Sequence, residues 1–494
     1  MLKRVVTFLI FLLVSTLWVS SAHAFGPEEW TQYRMNETNN PVFNDAGGEP
    51  LDMTSFFTDN EVRATPVVVG ERLFVGNHES GELLAFDITS GERIWEAQAP
   101  NWVHSEMIFH EEKLYVGYGN RFFQEPELRG HRDNGVLSLD ADTGEVLWEY
   151  KTPGQVMPTP AYFDGHVYAA TGDQHLYKLD ADTGNPVHKE DIGHVVSMSS
   201  PVISKEQLFV GGGAPQPYTF TAYDLADDSI SWQTEFDTVY SGLDDVPPVT
   251  ADGLVVTSAV SNSREVPYYE VYREQGLWQA YLKKIQAVVS GNLATVDAGG
   301  PHHVLYAMDT DTGDIAWEAS IGPGEPVQNN KSGAPMIYED RIFVGSPFTK
   351  SFYAFDLKSG EKEWEFANAA IKAPPVAEDG IVYFTNASGF VHALDTETGT
   401  ELAAKELGGT LAPSGPVLIN DTLLTGSQDN NVYAVPTADL LDSPPLQEEP
   451  EEEPAPHLAA EFFLLYIVPF LTLISLILLV FLLVQKKKRK SAYS

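Results

Sequence analysis

The stretch Gly135-Val-Leu-Ser-Leu-Asp-Ala-Asp-Thr-Gly-Glu-Val-Leu-Trp148 decides the fold. Alternation over 135–139 reads as a half-buried strand, Asp140-Ala-Asp-Thr-Gly144 as a tight turn, and the residues up to Trp148 as a second strand. The turn has a physical cause. Asp at its first position accepts backbone N–H groups, and Gly at its fifth takes φ > 0 without steric cost. The phrase recurs along the chain. Asp87 with Gly91 and Trp95, Asp180 with Gly184, Asp224 with Trp232, Asp309 with Gly313 and Trp317, Asp356 with Gly360 and Trp364, and Asp395 with Gly399 repeat it. Val432-Tyr-Ala-Val435 is a degenerate eighth copy.

Between successive phrases lies a second pair of strands, as in 160–170, 335–344 and 375–384, so each unit has four. The spacing is 40 residues from Asp140 to Asp180 and 39 from Asp356 to Asp395, the repeat length of a propeller blade. The expectation is an all-β chain: an eight-bladed β-propeller of four-stranded antiparallel blades over 25–436. The last copy stops near Val435-Pro436 and lacks an outer strand. The N-terminal segment that opens with Glu28-Glu-Trp-Thr-Gln-Tyr-Arg34, within 25–60, is the natural donor, because it closes the ring and hides an open edge.

The consensus Tyr-Ala-x-Asp-x-x-Thr-Gly-x-x-x-Trp resembles the repeat of the pyrroloquinoline-quinone-type propellers. That family includes quinoprotein dehydrogenases and the BamB-type lipoprotein of outer-membrane barrel assembly, and the resemblance covers roughly 60–436. It implies the fold directly. For function it implies either an enzyme or a scaffold without cofactor, since one fold carries both. In the dehydrogenases it implies a quinone and Ca²⁺ in the central funnel, an Asp base and often a disulfide between adjacent cysteines. This chain has no cysteine, and no Glu, Asn and Asp set matches the calcium ligands.

Composition bounds the rest. The absence of cysteine excludes disulfides, thiol catalysis, cysteine metal sites and a lipidated anchor. Lys3-Arg4, an apolar run over 5–19 and Ala22-His-Ala24 have the order of a secretory signal peptide, here 1–24. Residues 462–484 are free of charge and long enough to span a bilayer, and Lys486-Lys-Lys-Arg-Lys490 in the 485–494 tail favours a cytoplasmic C-terminus. The Pro- and Glu-rich 437–461 reads as an extended stalk. The expected topology is a single-pass protein of the cell membrane with its propeller outside. The exported part holds 70 acidic against 23 basic residues, a net of −47, which argues against nucleic acid as partner.

Two insertions break the period. One follows Tyr118 and contains Arg121, Phe122 and Arg129. The other, about 259–300, places Tyr269, Tyr272 and Trp278 at helical spacing. Two readings of this aromatic stripe are open: packing against the propeller, or a partner surface. Both insertions lie between the second and third strands of their blades, so both should rise from one face, and these six residues are the expected binding surface. The Asp-x-Asp pairs read as turn caps and not as calcium loops, because a distant bidentate Glu is missing. His302-His303 fall on one strand and face opposite ways, while His104 and His110, or His131, are placed to meet near the funnel without any spacing that requires it. Gly211-Gly-Gly213 reads as a bend, and Asn36, Asn330, Asn386 and Asn420 match the glycosylation pattern. The functional expectation is a binding scaffold without catalysis, for protein or cell-envelope partners and with no cofactor. The alternatives are a quinone- and Ca²⁺-dependent alcohol or sugar dehydrogenase, or ligand capture in the funnel.

Overall fold

The computed structural model describes residues 55–104, 106–120, 133–239, 242–262, 301–324, 327 and 332–446. These form eight four-stranded sheets. In seven of them the strands pair in chain order, each antiparallel to the next, as in Val67–Val69, Arg72–Gly76, Glu82–Asp87 and Arg93–Gln98 of blade 1. The eighth sheet is composite. Val417–Ile419, Thr422–Ser427 and Asn431–Pro436 are completed by Ser55–Phe57 from the other end of the chain, with Ser55 opposite Tyr433 and Phe57 opposite Asn431. The expected closure is therefore present. Phe56 is buried against Phe86 of blade 1, so the donated strand also seals the seam between first and last blades.

Burial follows distance from the axis. The innermost strands are almost wholly buried, whereas outermost strands such as Val146–Lys151 alternate toward solvent. Edge-to-edge pairing is discouraged there by charged residues, among them Glu149 and Lys151.

The repeated turn does more than reverse the chain. Asp140 Oδ1 accepts the N–H groups of Asp142 (3.1 Å) and Thr143 (2.9 Å) and the Thr143 hydroxyl (2.8 Å), and Asp87, Asp180, Asp309, Asp356 and Asp395 cap their turns in the same way. These bonds hold the Asp140 carboxyl below the usual carboxylate range, with the Thr143 hydroxyl as the largest cause. The turn Gly then receives the Trp of the preceding blade. Trp95 lies on Gly144, Trp148 on Gly184, Trp232 on Gly313, Trp317 on Gly360 and Trp364 on Gly399. Each indole also donates to a backbone carbonyl of that turn, Trp95 to Ala141 at 2.9 Å and Trp148 to Ala181 at 3.0 Å. A Cβ on any of these glycines would stand 2.5–2.6 Å from the indole.

One junction breaks the rule on both sides at once. Blade 3 carries His188 where the Trp belongs, and blade 4 carries Asp228 at φ 49° where the Gly belongs. Lys178 replaces the lost contact by reaching Asp228 at 2.7 and 3.0 Å. Without an indole to receive, the turn no longer needs a bare backbone.

Several expectations change in detail. The strand of blade 5 continues through Asn262, paired with Pro301, so the second insertion begins four residues later than 259. The segment expected to be a stalk from 437 opens with a short helix, Thr437–Leu441, whose Leu440 is buried. Among the described residues no helix is long and apolar enough to cross a membrane; the expected span 462–484 and signal peptide 1–24 lie outside them.

Candidate functional site

Antiparallel pairing in chain order fixes the faces. The link from second to third strand and the link from one blade to the next share one face, and the Asp turns lie on the opposite one. Every innermost strand is entered from the first face through a proline, at 66, 160, 201, 248, 335, 375 and 416, with Met107 standing in for it in blade 2. Counting back from these positions locates the funnel. The residue three before is Arg63, His104, Met157 and Met198 in blades 1 to 4, then Asp245, Ser332, Lys372 and Pro413 in blades 5 to 8, and all eight line one cavity. The residue immediately before the proline position adds Glu106, Ser200, Pro247, Ala334 and Pro374 to the same lining. Two residues apart on an extended chain, both positions face the same way. The cavity volume is about 50 Å³, and about 520 Å³ of space lies between the lining atoms when the open solvent at the mouth is included.

The layer next to the prolines ties half of the ring together. Gly415 N–H donates to Thr65 Oγ1 (3.4 Å), Thr65 N–H to Glu106 Oε1 (3.2 Å), and the Thr159 hydroxyl to Glu106 Oε2. Thr159 N–H donates in turn to Ser200 Oγ at 3.0 Å. This girdle runs from blade 8 to blade 4. It cannot continue through blades 5 to 7, because Pro247, Ala334 and Pro374 carry no polar side chain.

Over that same arc the outer layer becomes charged. Asp245 Oδ2 accepts the Ser332 N–H at 3.0 Å. Lys372 is held below the usual lysine range, chiefly by burial and further by Arg63, while Asp245 pulls the other way. Ser332 is fully buried, and its Oγ has no hydrogen-bond partner among the described residues. Arg63 Nε is likewise buried without one, and the guanidinium's ion pair with Glu61 is long, at 3.9 Å. A buried polar atom left unpaired costs about 1–3 kcal/mol, and two of them line this one cavity.

Behind this arc, Asp244 packs over Gly213 and Gly242, where a Cβ would come within 2.6 and 2.5 Å of its carboxyl oxygens. Burial pushes its carboxyl up to about 6, and the charge of Asp245 adds to the effect. The Gly211–Gly213 run is thus a cradle and not only a bend. Gly211 faces the Leu243 carbonyl, Gly212 the His194 ring, and Gly213 the Asp244 carboxyl.

Of the histidines singled out in the sequence, His131 lies outside the described residues. His104 lines the funnel, but its neighbour is His78, Nε2 to Nε2 at 2.5 Å, whereas His110 stacks on Tyr162 at 3.8 Å. His303 is buried against Ser346, with its neighbour His302 facing the other way. Asn386 is buried and holds His392 at 2.9 Å, so it is no acceptor for a glycan. Arg121, Phe122, Arg129, Tyr269, Tyr272 and Trp278 lie outside the described residues. Their points of attachment, after Asn120 and Asn262, are on the funnel face. Sequence reading missed Arg63, Asp245, Ser332 and Lys372. The offset of three residues from each blade's opening proline was the available sign.

A family model described as outer membrane protein assembly factor BamB, of the PQQ_2 type, matches residues 22–125, 118–216 and 218–439. The chain belongs to this family. It is 25% identical over 464 residues to a tetrathionate hydrolase of Acidithiobacillus ferrooxidans, spanning 83% of this chain and 86% of that protein. BamB of Moraxella catarrhalis superposes with a TM-score of 0.54 at 16% identity, over 77% of this chain and 96% of that one. Quinohemoprotein alcohol dehydrogenase of Comamonas testosteroni gives 0.57 at 13% identity, over 84% and 81%. The two structures establish the fold alone. Among the described residues that line the funnel the carboxylates are Glu106 and Asp245, in blades 2 and 5, and both oxygens of Glu106 accept, from Thr65 N–H and the Thr159 hydroxyl. Among the described residues no three His, Asp or Glu side chains converge as metal ligands.

Proposed function

We propose that this chain is an exported, envelope-associated binding propeller, tethered through 462–484, and that it takes a small anion into the blade 5-to-1 arc of its funnel. The observation that carries the reading is the pair of orphaned donors, Arg63 Nε and Ser332 Oγ, in the cavity that Lys372 also lines. Arg63 Nε–H can only donate, and the Ser332 hydroxyl can donate as readily as accept. Both oxygens of Glu106 and one of Asp245 are already engaged, so the site is short of acceptors. An oxyanion supplies them, and charge-assisted bonds of this kind contribute about 1.5–3 kcal/mol each. The kinship with a tetrathionate hydrolase makes tetrathionate the first anion to try, with thiosulfate release as the assay for turnover.

The experiment is calorimetric titration of the full chain in detergent with tetrathionate, thiosulfate and sulfate. Saturable binding that weakens about tenfold or more in Arg63→Ala and in Ser332→Ala supports the reading. Wild-type protein that binds none of the three at millimolar concentration removes it. A second reading, a scaffold for a protein partner, is favoured by the family match and by two insertions attached to the funnel face.

A further inference from the structure

We infer that Met157 and Met198 are specificity-determining residues, which select an anion whose middle is soft and sulfur-containing over one with the same number of chain atoms built on carbon. The inference rests on the anion reading above and adds the chemistry of the ligand's body to that of its ends. In a ring of eight, each blade faces the one four places on. The donors Ser332, Lys372 and Arg63 occupy blades 6, 7 and 1, with Pro413 of blade 8 between the last two. A short rod-shaped dianion lying along this arc sets one end near Ser332 and Lys372 and the other near Arg63. Its middle then looks across the funnel at blades 3 and 4.

What stands there is a pair of thioethers. Met157 and Met198 hold the funnel-facing position in adjacent blades, and both line the cavity. Methionine supplies only 8 of the chain's 494 residues, so two at eight equivalent positions is far above its share. Thioether sulfur is polarisable and unbranched, so it conforms to large soft atoms and gains dispersion energy from them without offering a hydrogen bond. An anion with polar atoms in its middle would lose water against this wall and gain no partner for it. The remaining cavity-facing position on this side, Ser200, accepts from Thr159 N–H, and its own O–H is the one polar donor beside the two thioethers.

The test compares tetrathionate with ethane-1,2-disulfonate, in which two methylenes replace the two central sulfurs and the sulfonate ends are unchanged. Titrating the full chain, the expected result is about tenfold tighter binding of tetrathionate. In Met157→Leu/Met198→Leu, a change that conserves volume, the preference should shrink to within about twofold while ethanedisulfonate affinity stays as it was. Equal wild-type affinity for the two dianions overturns the methionine assignment and leaves the anion site standing. So does a preference that survives in the double variant, provided its melting temperature is within a few degrees of wild type; Met198→Leu alone serves if the double variant is less stable. Failure of both dianions to bind overturns this inference, and the anion reading falls with it if thiosulfate and sulfate also fail to bind.

Discussion

Gly184→Ala isolates the interlock between blades 2 and 3. Gly184 sits at φ +69°, and a Cβ there would lie 2.6 Å from Cδ2 and Cε3 of Trp148. Two costs add. Alanine in the left-handed region loses about 1–2 kcal/mol, and forcing a methyl into a closed contact loses about 1–3 kcal/mol more, for a total of about 2–5 kcal/mol. Gly165→Ala is the matched control: its φ is +76°, and a Cβ there meets nothing within 4 Å, so it bears only the first cost. Urea unfolding of both variants at constant m measures the difference. In a Trp148→Ala background the second cost should vanish, and the two glycine substitutions should become equal. Equal midpoints already in the wild-type background refute the interlock and reduce Gly184 to an ordinary turn residue.

Other outcomes follow from the funnel and the closure. Anion affinity should fall as pH rises through the lowered pKa of Lys372, where its charge is lost, and Lys372→Arg should keep affinity to higher pH; a flat profile in wild type sinks the assignment. Asp244 binds its proton more tightly folded, at about 6, than unfolded, at about 3.9, so stability should decline as pH rises between those values. Asp244→Asn should lack that slope and gain about 2 kcal/mol near pH 7.5, after a discount for the solvent that still reaches the residue; chemical unfolding at pH 4, 5, 6 and 7.5 checks it. Deleting 25–60 removes the strand Ser55–Phe57 and should lower the melting temperature clearly, as should Phe56→Ala at about 3–5 kcal/mol; an unchanged transition would mean that the ring does not need its closure.

The legible part of this chain is its local chemistry. Asp140, Thr143 and Gly144 make one turn within five residues, so their roles could be read without any neighbour, and seven such turns with one degenerate strand copy set the blade count at eight. The partnership of Trp148 with Gly184 was not read, because it joins different blades. Yet its trace was in plain view, as the loss of Trp at His188 comes with the loss of the facing Gly at Asp228. The funnel was harder still. Arg63, Asp245 and Lys372 sit in links without periodicity, where a lone charge reads as a solvated loop. Only when the blades are aligned on their opening prolines do they fall at one position. The insertions, by contrast, stand out in composition through their aromatic and basic residues.

The two layers of the funnel divide the labour between rigidity and recognition. Where Thr65, Glu106, Thr159 and Ser200 pass hydrogen bonds from blade to blade, the polar groups satisfy one another and leave little for a ligand. Where Pro247, Ala334 and Pro374 interrupt that chain, the layer above carries Asp245, Ser332 and Lys372, and an unpaired hydroxyl remains. A site of this kind needs a fixed frame, since a donor misplaced by about 1 Å loses most of its directional bond. The girdle and the Trp–Gly interlocks supply that frame from parts that never touch the cavity's open arc. Changes at the position three before each proline can therefore alter what the funnel binds at little cost to the ring. By the same logic, substitutions at Gly144, Gly184 or Gly360 should reduce the amount of folded protein while leaving the affinity of the folded fraction unchanged.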